Sequence, residues 1–103
     1  MRQYDVFENP SERFRDIVPF VVILQSHFLQ PLPSVIVGPV LHREFAERIA
    51  YLSVDVAIAD SFYVVSLHEL ATVDARSLRA RVGDLRAYED AIVRGIQRLF
   101  TGF

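Results

Sequence analysis

The chain has no cysteine and no lysine: all eleven of its basic residues other than histidine are arginines. The first absence removes disulfide frameworks, thiol catalysis and cysteine-based metal sites. The second removes Schiff-base and lysine-nucleophile chemistry. The four glycines, at 38, 83, 95 and 102, stand singly, so there is no glycine-rich loop to cradle a phosphate. His27, His42 and His68 are far apart, and each reads as a single surface or turn residue, not one third of a metal site. No metal and no cofactor is expected. The opening Met-Arg-Gln-Tyr-Asp-Val-Phe lacks the apolar stretch of a signal peptide. The apolar run Ile17 to Leu24 falls far short of the roughly 20 residues of a membrane-spanning helix. The expected location is therefore the cytoplasm.

Hydrophobic residues make up 51% of the 103-residue chain, including eight phenylalanines, enough for a folded core. The length suits a single domain over residues 1–103. A domain of this size buries only about 60–65% of its unfolded surface, and oligomerisation is a common way to gain more. The net charge of -2 is unevenly spread: residues 1–75 carry ten acids and five arginines, residues 76–103 six arginines and three acids. That asymmetry points to an acidic peptide partner for the C-terminal region more than to a duplex-DNA footprint.

Tyr4 to Phe7 reads as a first strand, and Glu8-Asn9-Pro10-Ser11-Glu12 as a turn. Val18 to Leu24 is the strongest strand candidate, with Pro19 at its start or at an edge and apolar cover on both faces. Gln30 to Ser34, with prolines at 31 and 33, reads as a non-helical linker. Val35 to Val40 is expected as a strand broken at Gly38-Pro39, and a further strand is expected within Ala46 to Leu52. Val54 to Ile58 and Phe62 to Val65 form a hairpin through Ala59-Asp60-Ser61. The segment Leu67 to Val73 continues the series of short elements. From Leu85 to Phe103 the period changes: Tyr88, Ile92, Ile96 and Leu99 share one helical face, Asp90 and Arg94 form a four-apart pair, Asp84 can cap the start and Gly102 the end. Short strands followed by one terminal helix imply a mainly β fold, an antiparallel sheet curled around its core with the C-terminal α-helix packed beside it.

Little in the sequence carries chemistry. Glu44 and Glu47 are three apart, but read as surface charge more than as an acid–base pair. Arg13 and Arg15, even-spaced before a strand, could supply the cation of a ribonuclease site, with no convincing base beside them; solvated surface arginines are the alternative. Phe28 and Leu29 are candidates for exposed apolar contacts, unless they fold back on the core. Phe103 is either a frayed end or a large aromatic docked on its own body or offered to a partner.

Several blocks stand together here: the V-x-x-L-Q-S stretch ending at Ser26, His68-Glu69-Leu70-Ala71-Thr72-Val73, Val82-Gly83-Asp84-Leu85, Glu89-Asp90-x-Ile92 and Leu99-Phe100-x-Gly102 followed by one large apolar residue. With these the chain resembles, nearly end to end, the CcdB family of bacterial toxins from toxin–antitoxin pairs. The resemblance implies an SH3-like small barrel of the type shared with MazF, an added short sheet, a long C-terminal helix and a symmetric homodimer. It implies no enzyme activity of the chain's own; characterised members bind the A subunit of DNA gyrase and trap its cleaved complex with DNA. It further implies neutralisation by a CcdA-like antitoxin with a disordered acidic tail. Positions matching the family's gyrase contacts are Ser26, Phe28, Leu29, Gln97, Thr101, Gly102 and Phe103. The antitoxin surface would include Tyr63, equally readable as a sheet-face residue, and the arginines Arg76, Arg79 and Arg81. Best-known members carry tryptophan where this chain has Thr101, which removes a principal gyrase anchor. A MazF-like endoribonuclease and a non-toxic antitoxin-binding relative are the alternatives.

Overall fold

The computed structural model describes residues 1–29 and 32–103. Its seven strands, β1 (Asp5–Glu8), β2 (Phe20–Ile23), β3 (Ser34–His42), β4 (Ser53–Ile58), β5 (Ser61–Ser66), β6 (Ala71–Asp74) and β7 (Arg81–Asp84), precede one α-helix, α1 (Glu89–Thr101). All the strand pairings are antiparallel, in the order β4-β5-β3-β2-β1-β7, with β6 joined to β3. The mainly β curled sheet with one C-terminal helix is the architecture anticipated above. Among the described residues no helix is long and apolar enough to cross a membrane.

The curl follows from alternation. In β2, Val22, and just after the strand Leu24, enter a core with Tyr4, Val6, Val65, Leu67, Leu85 and Ile92, while Val21 and Ile23 enter a second with Phe7, Val35, Val37 and Leu78. The strand is thus covered on both faces, as its unbroken apolar run requires. β1 divides likewise, with Val6 in the first core and Phe7 in the second. Burying each of these aliphatic side chains contributes about 1.5–3 kcal/mol before entropy is subtracted.

No break occurs at Gly38-Pro39; β3 runs straight through it. The reason lies in the neighbours. β6 pairs with residues 34–37 of β3 and β5 with residues 40–42, so positions 38 and 39 have no partner on that side. On the other side, Leu24 N donates to Ile36 O, which makes 22/38 and 20/40 the further hydrogen-bonded pairs and leaves Pro39 opposite Val21 in a non-hydrogen-bonded pair. The missing N–H of Pro39 therefore falls in the gap between β6 and β5 and interrupts no ladder.

Two further expectations change, and the series of short elements from Leu67 onward is resolved. Ala46 to Leu52 is not a strand. A 3-10 turn at Arg43–Phe45 precedes it, and the Ser53 hydroxyl ties the segment into a loop, donating to Glu47 O and accepting from Ile49 N. Leu67 to Val73 divides into a 3-10 turn, Leu67–Glu69, and β6. The α-helix begins at Glu89, not Leu85: Leu85 is buried, and Arg86–Tyr88 forms a 3-10 turn whose first N–H, that of Arg86, donates to Asp84 Oδ1 at 3.0 Å. The Ala59-Asp60 turn is present, with φ of 50° and 66°, the left-handed pair that a two-residue hairpin demands. Gln30 and Pro31 of the proline linker lie outside the described residues.

Candidate functional site

α1 is held by its apolar face: Ile92 is fully buried, and Tyr88 and Ile96 pack against the same core. The Tyr88 hydroxyl accepts from Ala57 N at 3.0 Å, satisfying a backbone donor of β4. Tyr4 meets the start of the helix; its phenol is pushed up from the ordinary value by burial first and then by the adjoining Glu89 carboxylate. Farther along, the Arg98 guanidinium lies 3.9 Å from the ring centroid of Tyr51. The anticipated Asp90–Arg94 ion pair is not formed among the described residues.

The helix ends at Gly102, which takes φ 78° and donates its N–H to Arg98 O at 2.9 Å. Thr101 folds back: its hydroxyl donates to Gln97 O at 2.6 Å and accepts from Phe103 N at 3.2 Å. This arrangement fixes the direction of the tail and leaves Phe100 71% and Phe103 90% exposed, beside an exposed Gln97. Phe103 is neither docked on the body nor covered.

The second predicted segment is the β2–β3 loop. Ser26 closes it, its Oγ accepting from Phe28 N at 3.2 Å and its carbonyl from Leu29 N at 3.4 Å. The turn pushes Phe28 (89% exposed) and Leu29 into solvent. Ser26, Phe28 and Leu29 thus form one cluster, and Gln97, Thr101, Gly102 and Phe103 another. Among the described residues no hydrogen bond joins the two within one chain.

The residues matched to the antitoxin surface divide by what already holds them. Tyr63 is half-buried, edge-on to Phe20 at 5.3 Å and 5.4 Å from His42, in the position of a sheet-face tyrosine. Arg81 Nε lies 3.2 Å from a carboxylate oxygen of Asp5, a buried acid, and Arg81 also reaches Asp84 at 3.6 Å. Arg76 clasps Asp74, holding that carboxyl below its usual value through side-chain and backbone hydrogen bonds. Arg79 is exposed and, among the described residues, forms no ion pair.

Arg13 and Arg15 do not share a face of an extended segment, because Glu12–Phe14 is a 3-10 turn. Arg15 is spent on Glu8 at 2.8 Å and on the Asn9 carbonyl at 2.6 Å; Arg13 lies over the Phe14 ring. Sequence reasoning missed a third feature, the pairing of Arg2 with His27 at 3.1 Å. The two are 25 positions apart, with no periodicity to connect them.

A family model described as CcdB protein matches residues 3–102. A search of curated protein sequences found no match. Among solved structures, one titled as an endoribonuclease in complex with its cognate antitoxin, from a mycobacterial species, superposes with a TM-score of 0.73 at 11% identity, covering 96% of this chain and 93% of that one. A structure titled Mtb toxin gives 0.67 at 27% identity over 81% and 92% of the two chains. The Mycobacterium tuberculosis toxin MazF-mt6 gives 0.66 at 24% identity over 82% and 93%. These likenesses establish the barrel-and-helix fold.

Proposed function

The chain belongs to the CcdB family, and from that premise we propose that it is the toxin of a toxin–antitoxin pair, acting as a symmetric homodimer that binds the A subunit of DNA gyrase and holds its cleaved complex with DNA. The observation that carries this reading is the tail: Phe100 and Phe103 stand in solvent at a helix end whose direction is set by Thr101 and Gly102. Two large aromatics kept out of a core gain nothing for the fold, and aromatic anchors of this kind carry much of the energy of protein interfaces, roughly 2 kcal/mol or more for a central one. Ser26, Phe28 and Leu29 would add a second contact, supplied by the same or the other protomer. Thr101 does not provide the area of the tryptophan found in the best-known relatives, and Phe103 takes over part of it.

Neutralisation is by a CcdA-like antitoxin whose acidic, unstructured tail pairs with the basic C-terminal region. Arg79, which of the three matched arginines forms no ion pair among the described residues, is its first point of attachment, and ordering of the tail accompanies binding.

The names of the structural neighbours favour a second reading, an endoribonuclease toxin. Of the arginine pair that would support it, Arg15 is held by Glu8 and the Asn9 carbonyl, so the gyrase reading stands ahead. Expression in cells separates the two. DNA breaks with induction of the damage response are expected; degraded message with intact DNA would replace this reading by the ribonuclease, and neither effect would leave only antitoxin binding.

A further inference from the structure

A concavity opens where the β2–β3 loop meets the first residues of the chain. It has a volume of about 240 Å³ and is lined by Arg2, Ser26 and His27 together with Ile23, Leu29 and Leu32. Its polar side is held in place: Gln3 Nε2 donates to Leu24 O at 2.9 Å, and Arg2 N donates to Asp5 Oδ2 at 2.8 Å. The His27 ring meets a donor at each nitrogen, the Gln3 backbone N–H at Nδ1 (3.3 Å) and the Arg2 guanidinium at Nε2 (3.1 Å).

That arrangement is incomplete as it stands. A neutral imidazole accepts at one nitrogen only, while a backbone amide and a guanidinium only donate. One of the two contacts therefore sets N–H against N–H. With Nδ1 accepting from Gln3, the ring's Nε2–H and the Arg2 guanidinium are two donors side by side with no acceptor between them. An anionic oxygen placed there takes both, in a charge-assisted geometry.

We infer that this pocket binds a carboxylate carried beside an aliphatic side chain, as in an acidic–aliphatic segment of a partner protein, with the carboxylate on Arg2 and His27 and the aliphatic group against Ile23, Leu29 and Leu32. A nucleic-acid phosphate fits less well. Among the described residues Arg2 is the one arginine lining the pocket, whereas a nucleic-acid track needs a row of cations and stacking aromatics. Because Ser26 and Leu29 also belong to the proposed gyrase face, the biological meaning of the pocket rests on that reading. Its binding chemistry does not.

The test is a titration of the 15N-labelled full chain with two blocked dipeptides, acetyl-Leu-Glu-amide and acetyl-Leu-Gln-amide, following the Gln3 amide and the His27 ring nitrogens. The glutamate peptide is expected to shift them saturably and to bind at least about tenfold more tightly than the glutamine peptide, in line with the strength of charge-assisted hydrogen bonds. Arg2→Gln and His27→Asn should each erase that preference, and Arg43→Gln, at an exposed arginine outside the pocket, should leave it intact. Should His27→Asn fail to fold, Arg2→Gln decides, since that side chain is exposed. Equal binding of the two peptides would reduce the pocket to an apolar cleft and overturn the inference, as would the absence of saturable shifts. Tighter binding of a hexauridylate at the same resonances would also overturn it, replacing protein by RNA. A carboxylate preference in a chain that does not bind gyrase would leave this site standing and remove the gyrase assignment alone.

Discussion

Gly95 of α1 rides on the backbone of Tyr51: a Cβ added to the glycine would come within 2.5 Å of the Tyr51 carbonyl oxygen and would overlap the Leu67 side chain. Alanine favours a helix interior over glycine by about 1 kcal/mol, but forcing a methyl group into a packed contact costs about 1–3 kcal/mol. The Leu67 side chain can give way, whereas the Tyr51 carbonyl belongs to a turn with φ 68° and cannot easily do so. Gly95→Ala should therefore destabilise the fold by roughly 1–2 kcal/mol in urea unfolding. A neutral or stabilising result would mean that α1 is not seated on this turn.

Arg79 and Arg81 lie two residues apart and should behave differently. Removing Arg81 strips the buried Asp5 carboxylate of its guanidinium partner; because Arg81 itself is half exposed, the loss is set at about 1–2 kcal/mol, below that of a fully buried pair. Arg79→Ala should leave the melting temperature unchanged and weaken binding of an acidic antitoxin peptide, more so at low salt. The pair of melting curves and calorimetric titrations checks both. Equal stability of the two variants would contradict the structural assignment of Arg81.

The clasp of Arg48 on Asp55, with contacts of 2.9 and 2.7 Å, holds that carboxyl below its ordinary value of 3.8, first through the hydrogen bonds and then through charge. A carboxyl depressed in the folded state stabilises the fold above its unfolded value and loses that contribution as pH falls through the folded one. Both side chains are about half exposed, so the effect is modest. The native chain should melt slightly higher than Arg48→Gln at pH 6, and the gap should close as pH falls below about 3.8. A gap that persists unchanged into acid would assign the difference to packing of the Arg48 stem.

Much of the fold was legible because its signals are local. The two-faced β2 run, the Ala59-Asp60 hairpin and the Gly102 cap each depend on residues adjacent in sequence. What escaped depends on neighbours brought from afar. Gly38-Pro39 looks like a strand break until β5 and β6 are seen to part company at those positions. Ala46 to Leu52 looks apolar enough for a strand until the Ser53 hydroxyl ties it into a loop. In the candidate site, the sequence left the exposure of Phe28 and Phe103 open and the turns beside them decide it, whereas the roles of Arg81 on Asp5 and of Arg2 on His27 are tertiary pairings over dozens of residues.

The tail gives the sharpest test of function. Phe103 is 90% exposed, and its backbone N–H reaches only the Thr101 hydroxyl, at 3.2 Å. Removing Gly102 and Phe103 takes away the Gly102 N–H to Arg98 bond and little else, so stability should fall by no more than about 1 kcal/mol, the value of one net hydrogen bond. On the proposed function, the dimer and its antitoxin binding should persist, while affinity for the gyrase A fragment falls about 30-fold or more, the loss expected of a roughly 2 kcal/mol anchor. Thr101→Trp works in the opposite direction. It sacrifices the hydroxyl links to Gln97 and Phe103 but restores a large apolar surface on the same helix end, and gyrase affinity should rise. Unchanged gyrase binding in both variants, with folding intact, would take the anchor role away from the tail and its two exposed phenylalanines, and absence of binding by the native chain would remove the gyrase assignment. A loss of roughly 3 kcal/mol or more on truncation would instead make Phe103 a core residue, contrary to its exposure.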